Sequence, residues 1–164
     1  MAWARQGKPA KMVIKLNNLE EKTLISKLYE ASQAGVEVHL LVRSICCLMP
    51  GVAGMSENIT VRRIVDRYLE HGRLFIFHNG GQEEIYLGSA DWMNRNIYRR
   101  IEVCFPVYDK DLQNELKHLI ALQWKDTQQA VQLDNRLQNQ PIPEAIENTR
   151  SQEAIYHYLK NKAL

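Results

Sequence analysis

Long apolar runs and a surplus of charge of one sign are both missing from this 164-residue sequence. No stretch of about 18 apolar residues could span a bilayer, and residues 1–5 lack the hydrophobic core of a signal peptide. The formal net charge is only +2, far from the basic excess typical of proteins that coat nucleic acid. We therefore expect a cytoplasmic protein with no transmembrane segment and no nucleic-acid partner.

Cysteine is scarce as well, with three residues in the chain. Cys46, Cys47 and Cys104 lie in apolar stretches, their number is odd, and none has the spacing of metal ligands. We expect all three to be reduced and mostly buried. We expect no metal site built from this chain alone.

Lysine is absent from residues 43–100, although arginine is frequent there. The planar guanidinium group binds phosphate oxygens in pairs and stays ionised when it is desolvated, which an ammonium group does less well. The use of arginine instead of lysine indicates that the middle of the chain carries anion-binding groups. For any single arginine, the alternative is that its side chain simply lies on the solvated surface. The arginines concerned are Arg43, Arg62, Arg63, Arg67, Arg73, Arg95, Arg99 and Arg100.

The composition, 45% apolar and 24% charged, fits one globular domain. The alternating pattern of residues 11–16 predicts a strand. A helix should follow, with Asn18 as its N-cap and Gly35 at its end. Residues 36–43 predict a second, buried strand parallel to the first. Arg43 would then lie at the carboxyl end of a strand, where open α/β sheets bind ligands.

Further strands are expected at residues 59–66, 74–77, 85–87 and 100–105, with a long loop at residues 44–58. The sequence Asn79-Gly80-Gly81 predicts a hairpin between two of them. Beyond residue 105 we expect helices only, including a last one that carries Ile155, Tyr158 and Leu159. The fold class predicted is α/β, a mixed sheet flanked by helices with a helical C-terminal tail.

The hairpin brings two polar stretches together. His71 precedes its first strand and Ser89 follows its second, so the antiparallel ladder should place both at one end. An imidazole can act as a nucleophile or general acid, and a Gly-Ser turn opening a short helix offers a hydroxyl and backbone N–H groups to phosphate. Together they predict half of a phosphoryl-transfer site, whereas the other histidines are expected to be structural.

The motif His71-Gly72-Arg73, followed by Gly88-Ser89-Ala90-Asp91, resembles a divergent phospholipase D superfamily signature, His-x-Lys, four residues, Asp, then Gly-Ser-x-Asn. Arg73, His78 and Asp91 stand where that signature has lysine, aspartate and asparagine. Enzymes of the superfamily pair two half-sites, and one of their histidines forms a covalent phosphohistidine. This chain supplies one half-site.

A closer resemblance extends from residue 7 to residue 156, and it is to the C-terminal domain of bacterial long-form polyphosphate kinases. Five segments carry it, at residues 28–32, 41–47, 68–71, 89–96 and 100–103. The last two read Ser-Ala-Asp-Trp-Met-Asn-Arg-Asn and Arg-Ile-Glu-Val. The resemblance implies a single phospholipase D-like domain over residues 1–164, belonging to a longer enzyme.

The resemblance also implies an activity: reversible transfer of the terminal phosphate of ATP to inorganic polyphosphate, through a phosphohistidine on a preceding domain. His71 matches the family's second histidine, while Arg43 and Arg100 match arginines that contact the nucleotide phosphates. Ser89, in the Gly-Ser turn, is a further candidate for phosphate binding. Arg62, Arg63 and Arg67 are candidates for a polyphosphate path.

Further expectations concern partners and cofactors. The resemblance implies Mg²⁺ as a cofactor with ligands outside this chain, contacts with the remaining domains of the parent enzyme, and a homo-oligomer at full length. The chain alone is expected to bind ATP, ADP or polyphosphate without turnover. Two alternatives remain: a homodimeric phospholipase D-like phosphodiesterase, and a non-catalytic module that binds polyanions.

Overall fold

A computed structural model describes residues 1–142 and 148–162. These residues form five α-helices and eight short strands, and a 3-10 turn, Asn79–Gly81, lies between the fourth and fifth strands. The helices are α1 (Ala2–Arg5), α2 (Lys22–Gln33), α3 (Asn94–Arg99), α4 (Lys110–Trp124) and α5 (Ser151–Lys162). The strands are β1 (Lys11–Leu16), β2 (Glu37–Val42), β3 (Ile59–Ile64), β4 (Leu74–Phe77), β5 (Glu84–Gly88), β6 (Cys104–Pro106), β7 (Ala130–Leu133) and β8 (Asn139–Pro141).

All eight strands form one mixed sheet in the order β6-β5-β4-β1-β2-β3-β7-β8. Its centre is parallel, because β1 pairs with β2 and β2 with β3 in the same direction. The flanking pairs are antiparallel. A parallel centre buried on both faces requires apolar strands, and in β2 Leu40 (0% exposed) and Leu41 (4% exposed) are buried on opposite faces of the sheet.

Each face of the sheet is covered by a separate apolar core. On one face α2 packs Ile25 and Leu28 against a cluster that includes Ile14 and Leu40. On the other face Ile120 of α4 packs with a second cluster built around Ile76, Ile85, Leu41 and Ile64. The predicted mixed sheet with helices on its faces and a helical C-terminal segment is confirmed. No helix within the described residues is long and apolar enough to cross a membrane.

Most predicted elements occur at their expected places. β1 and β4 have the predicted bounds, β1 and β2 are parallel, and Arg43 follows the last residue of β2. The predicted hairpin also forms, since β4 and β5 are antiparallel neighbours. Positive φ angles at Asn79, Gly80 and Gly81 shape its turn, a conformation that glycine and asparagine tolerate best.

Three predictions about the elements are wrong. The N-cap of α2 is Glu21, whose carboxylate accepts from the N–H groups of Thr23 and Leu24, so Asn18 lies outside the helix. The strand expected at residues 100–105 begins only at Cys104. The region after α4 is not all helical, because β7 and β8 extend the sheet beyond β3. Both strands are short, which weakens their periodic signal.

The cysteines were predicted only in part. All three are free, as expected. However, only Cys46 is buried, whereas Cys47 and Cys104 are exposed. Cys104 opens β6, a three-residue edge strand with one neighbour, β5. Close to it, Ile101 is fully exposed and Val103 and Phe105 are half exposed or more. At this end of the sheet, an open strand edge therefore lies beside exposed apolar side chains.

Asp126 fastens the C-terminal part of the chain to the sheet. It is fully buried, and its carboxylate accepts from the N–H groups of Gln128, Gln129 and Ala130 and, at 2.7 Å, from that of Ser151 at the start of α5. Burial would by itself raise the pKa of this carboxyl group. The hydrogen bonds from Ser151 and the backbone outweigh burial and lower the pKa below its usual value.

Replacing Asp126 by alanine should lower the free energy of unfolding by about 3 kcal/mol, because several buried N–H groups lose their acceptor. Asp109→Ala is the matched control, since Asp109 caps α4 through two N–H groups but is exposed, and a loss of about 1 kcal/mol is expected there. Equilibrium urea unfolding measures both. Equal losses of unfolding free energy in the two variants would show that burial does not make the hydrogen bonds of Asp126 more stabilising than those of an exposed cap.

Candidate functional site

The sheet pairing brings the predicted site residues to one edge. Leu16 and Val42 are paired at the carboxyl ends of β1 and β2, so the residues that follow them, Asn17 and Arg43, emerge side by side. Lys15 of β1 pairs with Leu74 at the start of β4, and Leu74 pairs with Leu87 near the end of β5. His71 before β4 and Ser89 after β5 therefore reach the same edge as Arg43.

A continuous chain of hydrogen bonds runs along this edge. Arg43 Nε donates to Asn17 Oδ1 at 3.0 Å, and the Asn17 backbone N–H donates to Asp91 Oδ1 at 2.9 Å. Arg73 Nε donates to Asp91 Oδ1 at 3.1 Å. Arg73 in turn donates from Nη1 to the carbonyl oxygen of His71 at 3.1 Å. The network links Arg43 to His71 through two buried polar residues.

The imidazole of His71 lies against the guanidinium of Arg73. Nδ1 is 3.2 Å from Arg73 Nη1, and Nε2 is 3.4 Å from Arg73 Nη2. A guanidinium group has donors only, so a ring nitrogen that bonds to it acts as the acceptor. His71 itself is exposed. Its ring is thus restrained from one side and open to a ligand on the other.

Asp91 is the buried anchor of the site, with only 4% of its surface exposed. Besides Arg73 and the Asn17 backbone, the Nδ2 groups of Asn17 and Asn18 donate to it at 3.2 and 3.0 Å. Burial would raise the pKa of this carboxyl group, but the hydrogen bonds from Arg73, Asn18 and Asn17 outweigh it and lower the pKa. A buried carboxylate with so many donors remains ionised at neutral pH.

Ser89 and Arg100 lie around a second carboxylate, Glu102. The hydroxyl of Ser89 donates to Glu102 Oε2, and Asn96 Nδ2 donates to Oε1 at 2.6 Å. These hydrogen bonds lower the pKa of Glu102, and the charges of Arg100 and Arg73 lower it further. Arg73 therefore connects this group to the His71 network, and the N–H of Gly88 also donates to the Arg73 carbonyl oxygen at 3.2 Å.

The expectation that the Gly-Ser turn opens a helix is wrong. α3 begins at Asn94 with Met93 as its N-cap, and it has six residues. The Ser89 N–H donates to the Val103 carbonyl oxygen at 2.9 Å, and the Ser89 hydroxyl accepts from the Val103 N–H at 3.0 Å. The N–H group and the hydroxyl of Ser89 therefore bond to the segment that follows α3. They are not directed at a ligand in the way that N–H groups at the start of a helix are.

Arg62, Arg63 and Arg67 do not share one surface. Arg62 and Arg63 are consecutive in β3, so their side chains leave opposite faces of the sheet. Arg62 donates to the carbonyl oxygen of Trp124 and lies 4.6 Å from the centre of its ring. Arg63 Nη2 donates to the Ser44 carbonyl oxygen at 2.6 Å, beside Arg43. Arg67 lies over the ring of Tyr68 in the loop that carries His71.

Several residues of this site were missed by sequence reasoning. Asn17 and Asn18 follow β1 just as Arg43 follows β2, so the strand-end rule applied to Arg43 also points to them. Glu102 carries no such signal, because only the folded chain shows that it meets Ser89.

Within residues 1–142 and 148–162 no three His, Cys, Asp or Glu side chains lie close enough together to hold a metal ion.

Residues 1–153 match the family described as polyphosphate kinase C-terminal domain 2. The chain belongs to the polyphosphate kinase family. The polyphosphate kinase of Escherichia coli is 47% identical over 162 residues, which are 98% of this chain and 24% of that protein. The polyphosphate kinase of Paraburkholderia phytofirmans is 58% identical over 113 residues, which are 69% of this chain and 16% of that protein.

Solved structures agree with this assignment. The crystal structure of polyphosphate kinase from Porphyromonas gingivalis matches with a TM-score of 0.92 and 47% identity over 96% of this chain and 24% of that one. The chain thus spans about a quarter of the length of that polyphosphate kinase. A phospholipase D family member, Nuc from Salmonella typhimurium, matches with a TM-score of 0.53 and 15% identity, covering 70% of this chain and 78% of that one. The latter likeness confirms the predicted phospholipase D-like fold.

Asp91→Asn should lower the free energy of unfolding by about 3 kcal/mol at neutral pH, because it leaves the partly buried Arg73 without its anion. Since the folded-state pKa of Asp91 is lowered, its contribution is fully present above about pH 4, the usual range of an unfolded aspartate, and is lost as the pH falls through the lowered value. The difference between wild type and variant should therefore shrink in acid.

Urea unfolding at neutral pH and at a series of acidic pH values measures this difference. Asp111→Asn is the control, because Asp111 is exposed in the first turn of α4 and should change stability by no more than about 1 kcal/mol. A difference for Asp91→Asn that stays constant down to the lowest pH tolerated would contradict an ionised, stabilising Asp91.

Proposed function

We propose that this chain forms one half of the active site of a polyphosphate kinase, which reversibly transfers the terminal phosphate of ATP to inorganic polyphosphate. In this proposal His71 contacts the transferring phosphoryl group, and Arg43 and Arg100 bind phosphate oxygens. Ser89, predicted with them as a phosphate-binding residue, fits that role less well, because its hydroxyl donates to Glu102. The observation that carries the proposal is the hydrogen-bonded chain that runs from Arg43 through Asp91 and Arg73 to His71.

The arrangement supports phosphoryl transfer in particular. Transfer of a phosphoryl group passes through a loose transition state whose charge is spread over the phosphate oxygens, so an enzyme mainly positions and stabilises that charge. Arg43 is half buried and held by Asn17, whereas Arg100 is exposed at the same end of the sheet. Positioned donors of this kind are each worth about 2 to 4 kcal/mol of barrier.

The role proposed for His71 is to position or protonate a phosphate oxygen while a histidine outside this chain attacks phosphorus. His71 is exposed, and Arg73 restrains its ring from one side. Arg63, which contacts the carbonyl oxygen next to Arg43, and Arg67, in the loop that carries His71, are candidates for the polyphosphate path. Arg62 fits that path less well, because its guanidinium packs on Trp124.

Completion of the site requires the rest of the parent enzyme. The chain spans 24% of the Escherichia coli polyphosphate kinase, so the nucleophilic histidine is proposed to lie on a preceding domain. Mg²⁺ remains the expected cofactor, with ligands proposed to come from the phosphates and from residues outside this chain. A homo-oligomeric, cytoplasmic parent enzyme is part of the same proposal.

His71→Ala in the complete enzyme should lower the rate of ATP-dependent polyphosphate synthesis at least about a hundredfold, as expected for loss of a general acid. His157→Ala is the control, because His157 lies on α5 beside Tyr156 and should leave the rate within about twofold. The measurement is the initial rate at saturating ATP. Equal rates for the two variants would remove His71 from the mechanism.

The chain alone should bind ATP or polyphosphate without turnover. Incubation with γ-labelled ATP should leave the protein without stoichiometric label, because the attacking histidine is absent. The readout is acid-labile, base-stable phosphate on the protein, with the complete enzyme as the positive control. Stoichiometric phosphohistidine on the isolated chain would contradict the half-site, and phosphodiester hydrolysis by a dimer would favour the phospholipase D-like alternative.

A further inference from the structure

His71 lies in a segment without regular structure of its own. Residues 65–73 connect β3 to β4 and form neither helix nor strand. Within this segment Val65, Tyr68 and Leu69 are 64%, 63% and 72% exposed. An exposed connection of this kind has few local contacts to fix its backbone. Arg73 restrains the ring of His71, but the course of the backbone from residue 65 to residue 71 must be set by residues elsewhere in the chain.

Gln152, in the first turn of the C-terminal helix α5, contacts this segment most directly. Its Oε1 accepts from the Tyr68 N–H at 2.9 Å, and its Nε2 donates to the Tyr68 carbonyl oxygen at 2.8 Å. The side-chain amide therefore pairs with one backbone residue in both directions, as a neighbouring strand would. Gln152 is only 8% exposed, so water competes little for these bonds.

Glu70, the residue before His71, ties the same segment to three further elements. Its Oε2 accepts from Lys15 Nζ of β1 at 2.9 Å and from Gln123 Nε2 of α4 at 3.0 Å. Its Oε1 accepts from Gln152 Nε2 at 3.2 Å. Lys15 Nζ also donates to Gln123 Oε1 at 2.8 Å, which closes the cluster. The side chains of Lys15 and Glu70 are only 12% and 19% exposed.

The two residues before Gln152 are themselves held in place by hydrogen bonds. Ser151 donates its N–H to the buried Asp126, and Arg150 bonds both carboxylate oxygens of Asp66, at 2.6 and 3.0 Å. These hydrogen bonds lower the pKa of Asp66 and keep it ionised at neutral pH. Residues 150–152 thus contact the segment at Asp66, Tyr68 and Glu70, and they are themselves held to the β7 side of the sheet.

We infer that Gln152 and Glu70 are positioning residues for His71. The C-terminal helix α5 then helps to fix the position of the imidazole, although α5 and His71 are far apart in the sequence. The inference rests on the proposed role of His71. Reacting groups must be held closely, since a misplacement of about 1 Å can lower a rate about a hundredfold. Loss of the Gln152 contacts should therefore affect turnover beyond any effect on stability.

The test uses the complete enzyme with Gln152→Ala. We expect kcat to fall at least about tenfold, and hydrogen exchange of residues 65–73 to become faster, while exchange in the central strands is unchanged. Gln152→Glu keeps the side-chain size and an acceptor for the Tyr68 N–H, but it places a buried carboxylate against Glu70 and the Tyr68 carbonyl oxygen, so a loss of kcat at least as large as that of Gln152→Ala is expected. Glu153→Ala is the control, because Glu153 is the next residue of α5, is exposed, and forms an ion pair with Arg150 but no hydrogen bond with residues 65–73.

A double variant shows whether Gln152 acts through His71. In the His71→Ala background, Gln152→Ala should lower the residual rate less than about twofold. Equal losses in both backgrounds, faster exchange with unchanged kcat, or lower kcat with unchanged exchange would each overturn the inference. A His71→Ala enzyme with normal activity would instead overturn the proposed function, so the two failures are distinguishable.

Discussion

The ion pair between Asp91 and Arg73 is the interaction on which the site depends. A carboxylate that is almost fully buried must be surrounded by donors, and it therefore fixes every group that donates to it. Those donors lie just after the end of β1 and just before the start of β4, two neighbouring strands that run in opposite directions. The network thus joins the strand ends into one rigid edge, from which Arg43 and His71 project.

The buried and exposed members of the site have different tasks. Asn17 and Asp91 are buried and make their hydrogen bonds within the chain, whereas His71 and Arg100 are exposed at the same end of the sheet. This division suits a phosphate site, because binding groups that are already oriented lose little freedom when a ligand arrives.

The sequence predicted those features that depend on strand ends and turn chemistry. Arg43 was placed correctly because an apolar strand ended before it, and His71 and Ser89 because a hairpin lay between them. Arg100 was expected in a strand, and the structure instead places it at the end of α3, since the apolar residues that follow it are exposed. Glu102 could not be found from local patterns, because only the folded chain brings it against Ser89. Gln152 could not be found either, because its partner Tyr68 lies 84 residues earlier in the chain.

The open edge at β6 has a practical consequence. In the part of the chain that the structure describes, no strand pairs with the outer side of β6, and Ile101, Val103 and Phe105 expose apolar surface next to it. Edges of this kind pair readily with other chains, and proteins usually protect them with charge or a covering element. We therefore expect isolated copies of the chain to associate by strand pairing at the β6 edge, and a charged substitution at Val103 to reduce this association.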